Sequence, residues 1–353
     1  NIRGLTYDTA RAFFRSARKN NSGAFIFEIA KSEIGYTEQR PAEYTACCLA
    51  AAIKEGFRGP VFIQGDHFQV NAKNYAKDKT AEVESLKKLI KEALDGGFYN
   101  IDIDASTVVD LTKTDVIEVQ RPNYEITAEL TEFIRANEPK GITVSVGGEI
   151  GEVGGRNSTE EELVAFMDGF NKRLPKGMAG ISKISIQTGT SHGGVVMPDG
   201  TIAKVKVDFD TIEKLSKVAR EAYGLCGIVQ HGASTLPDDA FGIFPKRGTG
   251  EVHLATGFQN MVYDSANFPQ DLKMEIYAHL IKAHSDERKD TDTEEQFIYK
   301  TRKKGFGPFK NRIWTLDKTI RERIGAELEA RFDLYFDRLN AKNTAVHVKK
   351  HVG

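Results

Sequence analysis

A neutral imidazole is the commonest protein ligand for a metal, and three of the eight histidines share one local setting. His67 closes PVFIQGDH, His192 closes SIQTGTSH and His231 closes CGIVQH. In each case an apolar, β-branched run stops abruptly in small residues, which places the imidazole at the carboxyl end of a strand. Gly189, Gly193 and Gly194 leave the backbone open around His192. Three neutral imidazoles and one open position describe a catalytic zinc. A structural zinc would take four ligands, normally with paired cysteines, and no pair of that spacing occurs. The plainer alternative is three unrelated core histidines, but their matching places in three separate segments favour a site assembled by the fold.

The elements around them alternate. Helical spacing over residues 5–20 is followed by a strand near Ala24, a helix from Pro41 to Gly56, and strands near Val61, Asn100, Ile142, Ile184, Ile228 and Glu251, with amphipathic helices between them. Strand and helix in strict alternation predict an α/β fold with a parallel sheet. Seven strands are one short of a (β/α)8 TIM barrel, and the expectation is that the first strand lies upstream of residue 1. In such a barrel distant segments converge at the carboxyl ends of the strands, which explains the three histidines. A doubly wound open sheet is disfavoured because no GxGxxG follows a first strand. The rhythm stops near Asn260. The reading is a barrel over 1–265 and a helical extension over 266–353 that covers or extends it. That extension includes the basic run KTRKKGFGPFKNR, whose Lys303, Lys304 and Arg312 are available to an anionic substrate if the segment folds over the barrel mouth.

Composition excludes several classes. With 353 residues, 40% hydrophobic and 28% charged, the chain is a globular protein of one large barrel or two ordinary domains. A formal net charge of -1 gives no general attraction to nucleic acid or to an anionic membrane. Cys47, Cys48 and Cys226 make no disulfide framework, which fits a reducing, cytoplasmic setting. No apolar run approaches the length of a membrane span.

At these motifs the chain resembles the class II, metal-dependent ketose-bisphosphate aldolases, in order and over nearly its whole length. GDH at 65–67, GTSHG at 189–193 and HGAS at 231–234 are similar to the family's three metal-histidine segments. NIDIDAS, GEIGEVGG, VHLATG and KKGFGPFKNRIW resemble its remaining strand-end and C-terminal patterns. The resemblance implies zinc, or another divalent metal, on His67, His192 and His231. It further implies Asp66 as the acid/base at the substrate C4 hydroxyl, and Asp104 and Glu149 as carboxylates able to hold a second or monovalent ion. Asn1, Gly193, Gly232, Ser234, Thr256, Lys304 and Arg312 match substrate- and phosphate-binding positions. The implied reaction is retro-aldol cleavage of a ketose (bis)phosphate, such as fructose or tagatose 1,6-bisphosphate, in carbohydrate metabolism of the glycolytic kind. The metal acts there as a Lewis acid on the developing enediolate, and the implied assembly is a homodimer or homotetramer.

Two departures bear on the reaction. The family's strand-eight asparagine is His253, and the loop glutamate that usually follows GG is replaced by Arg156 and Asn157. Glu152, Glu160 and Glu161 are the candidates to replace it, Glu152 first, and His253 joins the catalytic candidates. These changes motivate an alternative, a C4-epimerase of a ketose phosphate or related sugar on the same zinc barrel. A non-catalytic aldolase-like subunit is the third option, disfavoured by retention of all three histidines and Asp66.

Overall fold

The computed structural model describes residues 1–353 except 152–154, 191–192, 195, 200, 204–205 and 353. Among the described residues the strands are β1 (Ile26–Ala30), β2 (Phe62–Gln69), β3 (Asn100–Asp104), β4 (Ser145–Glu149), β5 (Lys183–Ile186), β6 (Ile228–Gln230) and β7 (Glu251–Val252). Each pairs in parallel with the next, in the order β1 to β7. Parallel neighbours require a crossover, and the helices Pro41–Lys54, Lys79–Asp95, Val116–Asn137, Glu160–Arg173 and Phe209–Tyr223 supply it in turn as far as β6, while the short 3-10 turns Asp238–Gly242 and Pro245–Arg247 lie between β6 and β7. Their buried stripes, Leu86, Ile90, Leu130, Ile134, Phe166 and Phe170 among them, cover the outer face of the sheet.

The sheet curls like a barrel without closing. Among the described residues there is no eighth strand, and β1 and β7 remain its edges. Inward side chains nevertheless meet across the curl. His253, just past β7, lies 3.1 Å from Glu28 of β1, and Lys183 of β5 reaches Asp102 of β3 at 3.2 Å and Glu251 of β7 at 2.6 Å. Asn1 bridges the open seam at its upper end, where its backbone nitrogen donates to the Leu254 carbonyl at 2.7 Å. Below it a largely apolar slot of about 600 Å³ separates the two edge strands, with Phe25, Phe62, Phe244, Phe258 and Leu339 among its walls.

The C-terminal helices pack as a second layer on the helix Thr6–Lys19. The helix Lys318–Arg338 meets it through Arg15 and Glu329 at 2.6 Å, Ser16 and Asp333 at 2.7 Å, and Phe332 and Phe336 against Phe13. Leu5, Ala12 and Ala17 of the N-terminal segment therefore share a core with Val262, Ile276, Leu280, Phe306 and Ile324. Among the described residues no helix is long and apolar enough to cross a membrane.

Candidate active site

Strand β2 carries the first part of the site, and its backbone is irregular where it does so. Gly65 pairs with Ile101 and Phe68 with Ile103, so three steps along β2 match two along β3. The extra residue breaks the strict alternation of a strand, and both Asp66 and His67 line one cavity at the carboxyl ends of the strands. His67 pays for this with φ of 40°, a left-handed conformation that costs a non-glycine residue roughly 1–3 kcal/mol and concentrates at functional positions. Gly65 is needed beside it, since a Cβ there would stand 2.5 Å from the Phe68 ring.

His231 follows β6 directly, and its Nδ1 lies 3.1 Å from His67 Nε2. Its other ring nitrogen contacts Ser185 Oγ at 3.0 Å. His67 Nδ1 faces Glu149 at 3.0 Å and Asp104 at 3.3 Å. Those carboxylates hold a proton on Nδ1 and turn Nε2 toward His231, the usual means of orienting a metal-binding histidine. Asp104 and Glu149 thus meet the site through His67, and they also form with it one of the groupings able to hold an ion. Burial disfavours a charge on His67, but Glu149, Asp66 and Asp104 outweigh it and raise its pKa well above the ordinary value. Ligand atoms of Asp66, His67 and His231 all lie within 4.8 Å of one another. Two imidazole nitrogens at 3.1 Å share a proton in a hydrogen bond or face a common metal ion, and the surrounding carboxylates favour a cation there. The donor set therefore fits a divalent metal. His192 and Glu152 lie outside the described residues.

Asp66 is buried and held from both sides. Asn1 Nδ2 donates to Oδ2 at 2.8 Å, and His253 Nδ1 faces Oδ1 at 3.2 Å. Burial alone would raise its pKa, but His67, His253 and His231 hold it well below the usual carboxylate range, so the group is an ionised acceptor. His253 is itself placed between carboxylates, with Glu28 at 3.1 Å on the Nδ1 side and Glu251 at 3.0 Å from Nε2. Both ring nitrogens face acceptors. Despite the burial that opposes it, these neighbours raise its pKa well above the ordinary value, and the ring is an imidazolium.

The cavity encloses about 450 Å³, the size of a small-molecule site. Asn1, Gly193, Gly232, Ser234 and Thr256 all line it. Gly193 and Gly232 have φ of 79° and 67°, where a side chain would be strained and where small residues leave backbone open to a ligand. Lys304 and Arg312 are elsewhere. Lys304 is paired with Glu287, and Arg312 is half exposed on the surface against Glu275. The lining cation from that basic run is Lys303 instead. Glu160 pairs with Lys214 at 3.0 Å, and neither it nor Glu161 lines the cavity. Arg3, Glu33 and Lys31 also line it, and sequence reasoning passed over all three. The one available signal was an arginine and a glutamate set among buried apolar neighbours in NIRGL and AKSEIG.

The family model for class II fructose-bisphosphate aldolase matches residues 2–313. The chain belongs to that family. A fructose-bisphosphate aldolase of Giardia intestinalis is 26% identical over 172 residues, which are 48% of this chain and 45% of that relative, so less than half of the relative's length is matched. Among solved structures, the fructose-bisphosphate aldolase of Campylobacter jejuni superposes with a TM-score of 0.54 at 15% identity, covering 97% of this chain and 89% of that one. A putative fructose-1,6-biphosphate aldolase of Coccidioides immitis gives 0.52 at 17%, with 96% and 90% covered. The fructuronate-tagaturonate epimerase of Cohnella laeviribosi gives 0.69 at 12%, with 97% and 81% covered. At these identities the structures speak for the shared fold.

Proposed function

We propose that this aldolase-family enzyme cleaves an anionic ketose by a metal-assisted retro-aldol reaction. The observation that carries the reading is the cluster of Asp66, His67 and His231 at strand ends in a cavity sized for a sugar phosphate. His67 and His231 would hold a divalent metal, zinc being the ion that suits imidazoles with an open position, and such a metal supplies Lewis acidity to the ketose oxygens. Asp66, ionised and fixed by Asn1 and His253, takes the proton of the C4 hydroxyl. The C3–C4 bond then breaks, its electrons pass to the ketone fragment, and a carbonyl forms at C4. Gly193, Gly232, Ser234 and Thr256 offer backbone amides and hydroxyls to a phosphate. The protein is proposed to act on a small sugar phosphate as a homo-oligomer in the cytoplasm.

One observation favours a second reading. His253 Nδ1 stands 3.2 Å from Asp66 Oδ1 and its pKa is raised by Glu28, Asp66 and Glu251, which puts a proton donor beside the base and suits cleavage and recombination with inversion at C4. The test is to incubate the purified protein with fructose and tagatose phosphates, with and without chelator, following triose phosphate and epimer together. Chelator-sensitive triose release supports the aldolase. Epimer without free triose replaces it with the epimerase, and neither product from any of these sugars would sink both.

A further inference from the structure

Among the described residues the cations lining the active-site cavity are Arg3, Lys31 and Lys303. They are not equivalent. Lys31 is spent on Glu82 at 3.2 Å and on the Gln69 carbonyl at 2.8 Å. The Arg3 side chain is only 10% exposed, and its Nε donates to Glu33 Oε1 at 2.6 Å. Its Nη1 donates to Thr256 Oγ1 at 3.1 Å and to Gln259 Oε1 at 2.8 Å, while Nη2 has no hydrogen-bond acceptor among the described residues. Thr256 in turn stands beside Gly193, where an added Cβ would lie 3.7 Å from the threonine hydroxyl. The guanidinium is thus built into the wall next to the small residues of the cavity.

Lys303 has no carboxylate within ion-pair distance among the described residues and stacks toward the Tyr36 ring at 5.6 Å. Burial and the nearby Arg3 push its pKa below the usual amine value against the opposing pull of Glu33 and Glu287, and Arg3 and Lys303 line the same cavity. With Arg3 matched by Glu33, this corner holds one uncompensated positive charge. The other basic residues of the C-terminal run are paired outside the cavity, Lys300 with Asp292, Arg302 with Asp264, Lys304 with Glu287, Lys310 with Glu43 and Arg312 with Glu275. Away from the corner the wall offers Ser32, Gln69 and Asn71, which are polar and uncharged.

We propose that the substrate is a ketose with an anionic group at one end only, a phosphate or a carboxylate, and that Arg3 together with Lys303 reads that end. A bisphosphate would bring a second dianion, and among the described residues the wall away from this corner offers it neutral donors but no unpaired cation. This rests on the reading of the cavity as a ketose site, so the experiment measures binding apart from turnover.

The full-length protein is titrated calorimetrically with fructose 1-phosphate, fructose 6-phosphate, fructose 1,6-bisphosphate, a 2-ketohexonate and neutral fructose. The expected result is one ligand with a single anionic end bound as tightly as the bisphosphate or tighter. The tighter of the phosphate and carboxylate arms identifies the end group. Arg3→Gln should weaken the anionic ligand by about tenfold or more and leave neutral fructose unchanged, the scale of a lost charge-assisted hydrogen bond. Because Arg3→Gln strands Glu33, the double variant Arg3→Gln/Glu33→Gln provides a folded comparison and should show the same loss. A bisphosphate bound about tenfold more tightly than every ligand with a single anionic end overturns the proposal, as does unaltered anion affinity in the double variant or no anion binding at all. Anion binding with these properties but no cleavage leaves the inference standing and removes the aldolase reading.

Discussion

On the outer side of β1, Phe25 and Phe27 pack with Phe13, Phe14, Phe57 and Phe336 at ring separations of 4.8 to 6.4 Å. One residue along, on the inner side, Glu28 accepts from Gln64 Nε2 at 2.7 Å and faces His253. The same strand thus divides an apolar layer from a network of charges. The apolar side gains free energy from every ring it buries. The inner side costs free energy to bury, since four carboxylates, Lys183 and His253 leave water and are repaid only by one another. The fold is carried by the outer contacts, and the inner ones set the charge state of Asp66.

The comparison can be broken most sharply at Asp66. Asp66→Asn should lower turnover by about 10²–10⁴-fold, the range for a general base, with the metal content unchanged. Turnover near that of the wild type would remove Asp66 from its role. On the other side, Phe14→Ala should cost about 3–5 kcal/mol in denaturant unfolding while leaving the rate per folded molecule unaltered, and a much smaller loss would mean that the aromatic layer is not what holds β1. Lys183→Met strands Glu251 and Asp102 and should cost about 3 kcal/mol. Adding Glu251→Gln should recover part of it, and strictly additive losses would show that the pair is not coupled.

The smallest effect is one of pH. Burial, opposed by His253 and reinforced by Asp66, pushes Glu28 up to about 7. Between the ordinary carboxylate value and that point the folded protein keeps a proton that the unfolded chain has released. Stability from this group therefore falls as pH rises through the window. Glu28→Gln should flatten the melting temperature between pH 5 and 7, and parallel profiles for the two proteins would dispose of the assignment.

Strand positions were legible because β-branched runs end in glycine, and the helices between them show the longer period. His67 and His231 were legible for the same reason. The bulge that turns Asp66 and His67 to one cavity was not, because it is a mismatch between two strands and no single strand records it. Lys183 sits in KISI between residues that alternate as buried positions, and only the curl of the sheet shows that Asp102 and Glu251 await it. Lys303 and Lys304 are neighbours in one short turn, and one lines the cavity while the other pairs with Glu287. Adjacent residues of a turn diverge, so composition found the basic run and could not choose its member. Arg3 depended on how residues 1–4 cross the seam, a contact with segments more than 250 residues away.

Asn1 and His253 line both the substrate cavity and the slot between β1 and β7. They form a partition shared by two compartments. A residue much smaller than histidine at position 253 would thin that partition on the side where the ring faces Asp66.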